Sequence, residues 1–241
     1  TTAVPPMSDW PSDLLEVVGQ DCYLLHGGLE FDGREISALD ENEIRAAARD
    51  IRAKGIGAIA LTSVFSPLDG YMETRAAAIL QNELPEATIT LSHRIGRIGL
   101  LERENAAILN GALTSLADRV LGAFDRAILD LGLKAPLFIS QNDGTLMTAA
   151  HAARYPVLTF ASGPTNSIRG AAILSGLDDA LVVDIGGTTT DIGLLLGGFP
   201  REAAMTVEVG GVRTNFRMPD LLAVGLGGGS LVRDSGDSIG P

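Results

Sequence analysis

Cysteine occurs once in the 241 residues, at Cys22. No disulfide can therefore close within the chain, which suits a reducing compartment such as the cytoplasm. Long apolar runs are missing as well: none approaches the roughly 20 residues needed to span a bilayer. The opening stretch TTAVPPMSDWPSD lacks the basic start and apolar middle of a secretion signal. Positive charge is scarce, with 18 Lys and Arg against 30 Asp and Glu and a formal net charge of −12. That balance argues against a nucleic-acid groove, which needs clustered cations to release phosphate counterions. It also disfavours docking on anionic lipid. The three histidines, His26, His93 and His151, show no paired metal spacing and read as structural. No Gly-x-Ser-x-Gly elbow, Walker A Gly-Lys-Ser/Thr or helix-opening Gly-x-Gly-x-x-Gly occurs. Internal repeats and low-complexity linkers are absent too.

The chain is nevertheless globular in composition, with 46% hydrophobic and 20% charged residues. Its length fits one large domain or two small ones. It starts Thr-Thr and stops at Ser-Ile-Gly-Pro, which reads as a processed or excised segment of a longer protein. A boundary is expected in the 132–145 region, where Gly132, Pro136 and a polar loop cluster. This divides the chain into 1–135 and 136–241.

Residues 1–37 read as irregular structure with short strands, and Asp32-Gly33 carries a turn signal. Asp40 followed by Glu43 has the spacing of a capping box, and Lys54-Gly55 closes the helix that it opens. Apolar strands are expected at 58–61, 87–91, 136–140, 157–160 and 180–184. Helices are expected at 69–84, 100–131 (bent near Gly111 or Gly122), 147–154 and 164–174. Strands that alternate with helices imply βαβ units and parallel pairing. After Asp184 a strand at 192–196 turns back on its predecessor, and Ala203–Val209 is expected to add a third. The expected architecture is α/β, with a mixed sheet flanked by helices. Cys22 reads as a buried inert thiol, and Trp10 as packing. His93, Arg94 and Arg97 read as a solvated basic turn.

The most informative segment is LVVDIGGTTTDIG. An apolar strand ends at Asp184; Gly186 and Gly187 follow, then Thr188, Thr189 and Thr190, then Asp191. Glycines let backbone N–H groups approach an anion without a Cβ in the way, and threonine hydroxyls add donors. A strand-end carboxylate can hold Mg²⁺ or orient a nucleophile. The segment reads as a phosphate cradle, against the plainer reading of a hairpin turn capped by Asp191. About forty residues on, VGLGGGS carries Gly227, Gly228, Gly229 and Ser230. That turn suits a base, a sugar or a second phosphate, or else a flexible tail. SGPTNSIRG opens a helix with Ser162, Gly163 and Asn166, where free N–H groups attract anions and Arg169 could meet one. A surface helix cap is the alternative. Gln141-Asn142-Asp143-Gly144-Thr145 lies at a strand end, where α/β proteins place ligands; a local Asx turn is the other reading.

This ordered set resembles the hydantoinase/oxoprolinase family, the group of N-methylhydantoinase A, 5-oxoprolinase and the acetone carboxylase subunits. VVDIGGTTTDIG resembles the phosphate turn of the wider actin and sugar kinase superfamily, and ASGPTNSIRGA, QNDGTLM and VGLGGGSLVR narrow the likeness. SVFSPLDGYMETRAAAIL and ITLSHRIGRIGLLERENAAILNGAL are similar to the same family's preceding segment. The resemblance implies an actin-like, ribonuclease H-like ATPase fold, with 1–135 in a first lobe and 136–241 as the nucleotide-binding lobe. It implies ATP and Mg²⁺ as cofactors and hydrolysis of a cyclic amide through phosphoryl activation of its carbonyl. Asp184 would serve metal or water, Gly186 to Thr190 the phosphates, and Asp191 the turn or metal shell. Gly227 to Ser230 would face the nucleotide. Ser162, Gly163 and Asn166 would line the cleft, with Asn142 and Asp143 toward substrate. A second hydantoinase-type subunit would complete the site in a homo- or hetero-oligomer. The first phosphate turn of such proteins has no counterpart in residues 1–60. A small-molecule kinase and a non-catalytic nucleotide-binding subunit or inactive fragment are the alternatives.

Overall fold

The computed structural model describes residues 4–203, 206–233, 236 and 238–240. The first elements are α1 (Ser12–Val18), α2 (Glu41–Lys54), β1 (Ala58–Leu61), α3 (Tyr71–Glu83), β2 (Thr88–Leu91) and α4 (Leu100–Asp130). Then come β3 (Phe138–Ser140), β4 (Leu146–Thr148), α5 (Ala149–Arg154), α6 (Ser162–Ser175), β5 (Ala180–Ile185) and β6 (Thr190–Leu196). The last are β7 (Phe199–Pro200), β8 (Val207–Val209), β9 (Val212–Thr214), β10 (Leu221–Val224), β11 (Leu231–Arg233) and β12 (Ser238–Gly240). The chain forms two compact units: 1–135 with 153–157 and 205–216, and 136–152 with 158–204 and 217–241. Among the described residues no helix is long and apolar enough to cross a membrane.

In the first unit β1 and β2 pair in parallel, Ala58 opposite Thr88 through Leu61 opposite Leu91. Helix α2 starts where Asp40 accepts hydrogen bonds from the Asn42 and Glu43 amides, and it ends at Gly55 in the left-handed conformation. Its apolar face, Ile44, Ala48 and Ile51, packs with Ile59 of β1 and with Ala76, Ile79 and Leu80 of α3. The capping box is not closed: Glu43 instead accepts from the His26 amide (2.9 Å) and lies 2.7 Å from its Nδ1.

A buried polar network underlies this core. Glu73, 2% exposed, accepts from the Ser63 amide, the Ser92 hydroxyl and the His93 amide, and its Oε2 lies 2.7 Å from His93 Nδ1. Arg103, 0% exposed, donates to Ser92 Oγ and to the carbonyls of Arg97, Ile98 and Ser63. The basic turn expected at His93–Arg97 is thus partly anchored in the interior, and only Arg94 and Arg97 are exposed. Two amides of α4 join distant segments. Asn105 accepts from Trp10 Nε1 (2.7 Å) and donates to the Arg213 carbonyl, while Asn110 donates to Thr90 Oγ1 and the Arg154 carbonyl. Trp10 packs with Met7 and Val212, as a packing residue should.

In the second unit the sheet order is β10-β6-β5, all antiparallel, with β7 extending β6. Helix α6 covers one face through Ile168 and Ala172 against Leu195, Val182, Ala180 and Leu221. Gly193 makes that approach possible, because a Cβ there would lie 2.4 Å from Ile168 Cδ1. Parallel and antiparallel pairings therefore occur in separate sheets of an α/β protein.

Several local expectations change. Residues 12–18 form a helix, closed by Gly19 at φ 85°. Residues 156–159 are a 3-10 turn rather than a strand; Pro156 has no N–H for a ladder, and Val157 is fully buried. The strand expected at 203–209 lies partly outside the described residues. Its described part, β8, pairs with β9 and not with β6. Gly210 and Gly211, at φ 60° and 83°, make a two-residue hairpin turn that favours this local partner. The third strand of the α6-covered sheet is β10. Cys22 is exposed, not buried, because residues 20–25 run outside any strand or helix.

Truncating Arg103 leaves buried acceptors unpaired, so Arg103→Ala is expected to cost about 3 kcal/mol or more in denaturant unfolding, and Arg103→Lys to recover only part. Burial holds the Glu104 carboxyl above its ordinary range. A raised carboxyl binds its proton more tightly folded than unfolded, so stability falls as pH climbs from the unfolded value through the folded one. Glu104→Gln is expected to raise the melting temperature at pH 7 more than at pH 4.

Candidate functional site

The hairpin that joins β5 to β6 places Asp184 opposite Asp191 and Ile185 opposite Thr190. Alternation along β5 leaves Leu181, Val183 and Ile185 exposed and turns Ala180, Val182 and Asp184 toward α6. Directly opposed residues point to one face with Cβ atoms about 5 Å apart. Asp184 and Asp191 are therefore half-buried carboxylates side by side on the α6-facing surface. Neither makes a hydrogen bond or ion pair with any described group. Like charges opposed across a ladder are unfavourable, and a cation beside them would relieve the repulsion.

Above them the chain turns at Gly186-Gly187. Strand β10 pairs with β6, Ala223 opposite Asp191 and Val224 opposite Thr190, which delivers the second glycine turn to the first. Gly228 N–H donates to Gly186 O (2.9 Å), Gly229 N–H to Gly187 O (2.7 Å), and Thr190 Oγ1 to Leu226 O (2.6 Å). Ser230 Oγ accepts from the Gly227 amide at 2.9 Å. A Cβ on Gly227 would sit 2.7 Å from Gly186 O and Gly187 O, and one on Gly229 2.9 Å from Gly187 O. The two turns touch backbone to backbone because neither carries a side chain at the contact.

That contact uses the Gly228 and Gly229 amides and leaves others free. Gly186 N–H closes the turn on Thr189 O. Among the described residues, the Gly187, Thr188 and Thr189 amides and the Thr188 and Thr189 hydroxyls have no partner, and all three residues are exposed. Consecutive free donors on a glycine turn are what a phosphate group requires. The donor set fits the phosphates of a nucleotide, and the facing carboxylates fit an oxygen-coordinated cation such as Mg²⁺, which keeps water and phosphate in the rest of its shell. No group of three or more His, Cys, Asp or Glu able to hold a metal occurs among the described residues, so the two aspartates would be its only acidic ligands there.

The remaining sequence candidates fall into two groups. Ala172 packs at the level of Leu195 and Ile168 at the level of Gly193. Ser162 and Gly163 lie at the α6 start, one to two helical turns before Ile168, toward the Asp191 end of β6. Ser162 is half-buried, and Asn166 is exposed. The helix begins after Ala161 in the left-handed conformation (φ 56°), with no side-chain cap. The other candidates are held by the fold. Asn142, 1% exposed, donates to the Arg217 carbonyl at 2.6 Å, and its main-chain N–H reaches Leu158 O. Asp143 accepts from the amide and hydroxyl of Thr145 as an Asx turn between β3 and β4. Arg169, read as an anion partner, donates to the Gly198 carbonyl and stacks over Phe199 at 4.0 Å from the ring centroid. Sequence reasoning missed the role of β10, although the apolar run LLAV before Gly225 carried its signal.

A strand hairpin with opposed aspartates under a double glycine turn is an α/β arrangement that a phosphate group would fit, and comparison with known proteins places the chain more closely. Residues 103–240 match the profile of the hydantoinase/oxoprolinase family and residues 8–84 that of its N-terminal region. The first match covers more than half of the chain, which therefore belongs to the hydantoinase/oxoprolinase family. It is 28% identical over 212 residues to the alpha subunit of caprolactamase from Pseudomonas jessenii, covering 85% of this chain and 30% of that one. To the gamma subunit of acetophenone carboxylase from Aromatoleum aromaticum it is 25% identical over 215 residues, with 85% and 29% covered. In structure it is similar to the ATP-dependent caprolactamase of Pseudomonas jessenii, with TM-score 0.75, 27% identity and 91% and 33% covered. A nucleotide-free acetone carboxylase shares the fold, at TM-score 0.67 and 23% identity, with 89% and 32% covered. The chain thus spans about a third of the length of these relatives. The expected family and α/β fold class are borne out.

If the glycine contact holds the site together, Gly227→Ala must push the turns apart. The Gly228 and Gly229 amides are then expected to lose hydrogen-exchange protection while amides of β5 away from the turn keep theirs; unchanged protection at both glycines would contradict this account.

Proposed function

We propose that this chain is the nucleotide-binding part of an ATP-dependent enzyme that hydrolyses a cyclic amide by phosphoryl activation of its carbonyl oxygen. The observation that carries the reading is the pairing of free turn amides at 187–189 with the two unpartnered carboxylates Asp184 and Asp191 at the same strand end. The relatives support it: one is an ATP-dependent caprolactamase, and ATP-dependent acetone carboxylation names another.

In this reading the Gly187 to Thr189 amides and the Thr188 and Thr189 hydroxyls bind phosphate oxygens. The hydroxyl of Thr190 is held by Leu226 O and braces the turn. Asp184 and Asp191 would hold Mg²⁺, and Mg·ATP when bound supplies charge neutralisation and the phosphoryl group to be transferred. Gly227 to Ser230 form the second wall, where bare backbone lets a nucleotide pack closely. Preorganised donors of this kind act on charge as it develops, without reorganising at the moment of reaction. Ser162, Gly163 and Asn166 border the same end through the α6 start. Asn142 and Asp143 act here as supports for the loop that faces substrate. The alpha and gamma subunit names of the relatives point to assembly with a second subunit. The carboxylase relatives favour a carbonyl compound as the second reading of the substrate, activated at the same atom.

Calorimetric titration with Mg·ATP and Mg·ADP tests the reading. Both are expected to bind, and Asp184→Ala and Thr188→Val are expected to weaken binding about tenfold or more, the loss of one charged or charge-assisted contact. Equal affinity in the Asp184→Ala chain would remove the nucleotide from this turn.

A further inference from the structure

A second polar site lies wholly in the first unit, where Glu73 in the first turn of α3 meets His93 just after β2. The Glu73 carboxylate is surrounded by donors. Its Oε1 accepts from the Ser63 amide and the Ser92 hydroxyl, and its Oε2 from the His93 amide. Arg103 Nε donates to Ser92 Oγ at 3.0 Å, so the Ser92 proton is the one that faces Glu73. His93 Nδ1, 2.7 Å from Oε2, therefore carries its proton toward the carboxylate. A neutral imidazole held in that tautomer presents a lone pair at Nε2. Among the described residues Nε2 has no partner. The side chain is 11% exposed. Its Nε2 lies against the bare backbone of Gly70, where a Cβ would come within 2.5 Å. Gly70 and His93 line a surface hollow of about 630 Å³, with Asp69 and Arg94 beside them.

We infer that this hollow binds a small oxyanion that keeps a proton, of the hydrogen phosphate class, with His93 Nε2 accepting its O–H and Arg94 meeting its charge. The other polar groups of the lining are already engaged. The Thr74 hydroxyl donates to Gly70 O, the Tyr71 hydroxyl to Glu35 and the Arg75 guanidinium to Glu41. Asp69 Oδ1 accepts from the Tyr71 amide at 2.9 Å. That leaves the Nε2 lone pair, the exposed Arg94 guanidinium and the second Asp69 oxygen without partners among the described residues. Water would satisfy Nε2 but not the Arg94 charge. A fully ionised oxyanion would meet Arg94, yet it would set lone pairs against Nε2 and charge against Asp69. An oxyanion with one O–H answers both Nε2 and Arg94, and a second O–H, where the ligand has one, suits Asp69. Glu73 acts here as a positioning residue, since it fixes the tautomer that turns the lone pair outward.

Ring ¹⁵N resonances of His93 test this residue by residue, so binding of phosphate at the glycine turns of the second unit does not enter the readout. In the free chain at pH 8 the ring is expected to show the tautomer with its proton on Nδ1. The probe is inorganic phosphate, set against sulfate, which has the same shape and charge but no O–H. Phosphate is expected to shift the His93 Nε2 resonance saturably. Sulfate at equal ionic strength is expected to bind about tenfold more weakly or worse, for want of one hydrogen bond. Arg94→Gln, at an exposed position, is expected to weaken phosphate about tenfold and to leave the tautomer unchanged. Gly70→Ala, whose new Cβ displaces the ring, is expected to abolish the phosphate shift. A proton found on Nε2 instead, no saturable shift with phosphate, equal affinity for sulfate, or full affinity in the Arg94→Gln chain would each overturn the inference.

Discussion

The contact on which the candidate site depends is backbone against backbone. Gly228 and Gly229 donate to the carbonyls of Gly186 and Gly187, across some forty residues of chain. Hydrogen bonds of this kind need the two turns closer than a side chain allows, and a Cβ at Gly227 would overlap both carbonyls. Other features follow from the approach. It holds β10 beside β6 at the turn end, gives the Thr190 hydroxyl an acceptor in Leu226 O, and leaves the tip amides at 187–189 pointing outward. With β6 held between two partners, its register keeps Asp191 opposite Asp184.

The hairpin end brings two kinds of group together. Two carboxylates share one sheet face, below a row of turn amides. In the reading proposed above, a metal-bound nucleotide would answer both. The carboxylates and donors are placed by strands and a strapped turn, so they would meet such a ligand without large rearrangement.

The first unit is organised by a different device. Its buried charges, Glu73 and Arg103, never touch directly; Ser92 and the Ser63 main chain stand between them. Every donor or acceptor so engaged belongs to a different loop or helix. Asn105 and Asn110 extend the pattern by tying α4 to segments far along the chain. Such networks are costly when half satisfied, which makes each partner specific in a way that apolar packing is not. Hydrophobic contact alone would leave the loops after β1 and β2 with several nearly equivalent arrangements.

What could be read from the sequence were features with local causes. Asp40 caps α2 and Gly55 closes it because the orphan amides and the left-handed residue are satisfied within one turn. The β5–β6 hairpin and its aspartates were legible because a strand, two glycines and a return strand are consecutive. Tertiary structure decided the rest. Glu43 has the spacing of a capping box, yet its carboxylate went to His26. Val207–Val209 had the composition to join the α6-covered sheet, but Gly210-Gly211 gave it a nearer partner. Asn142 and Arg169 looked like ligand residues, and the Arg217 and Gly198 carbonyls took them. Side chains with several possible partners are assigned by whichever polar group the fold brings closest, and that proximity depends on residues tens of positions away. The glycine turns show both sides: their bare backbone is written in the sequence, while the pairing of β10 with β6 that brings one onto the other exists only once the chain has folded.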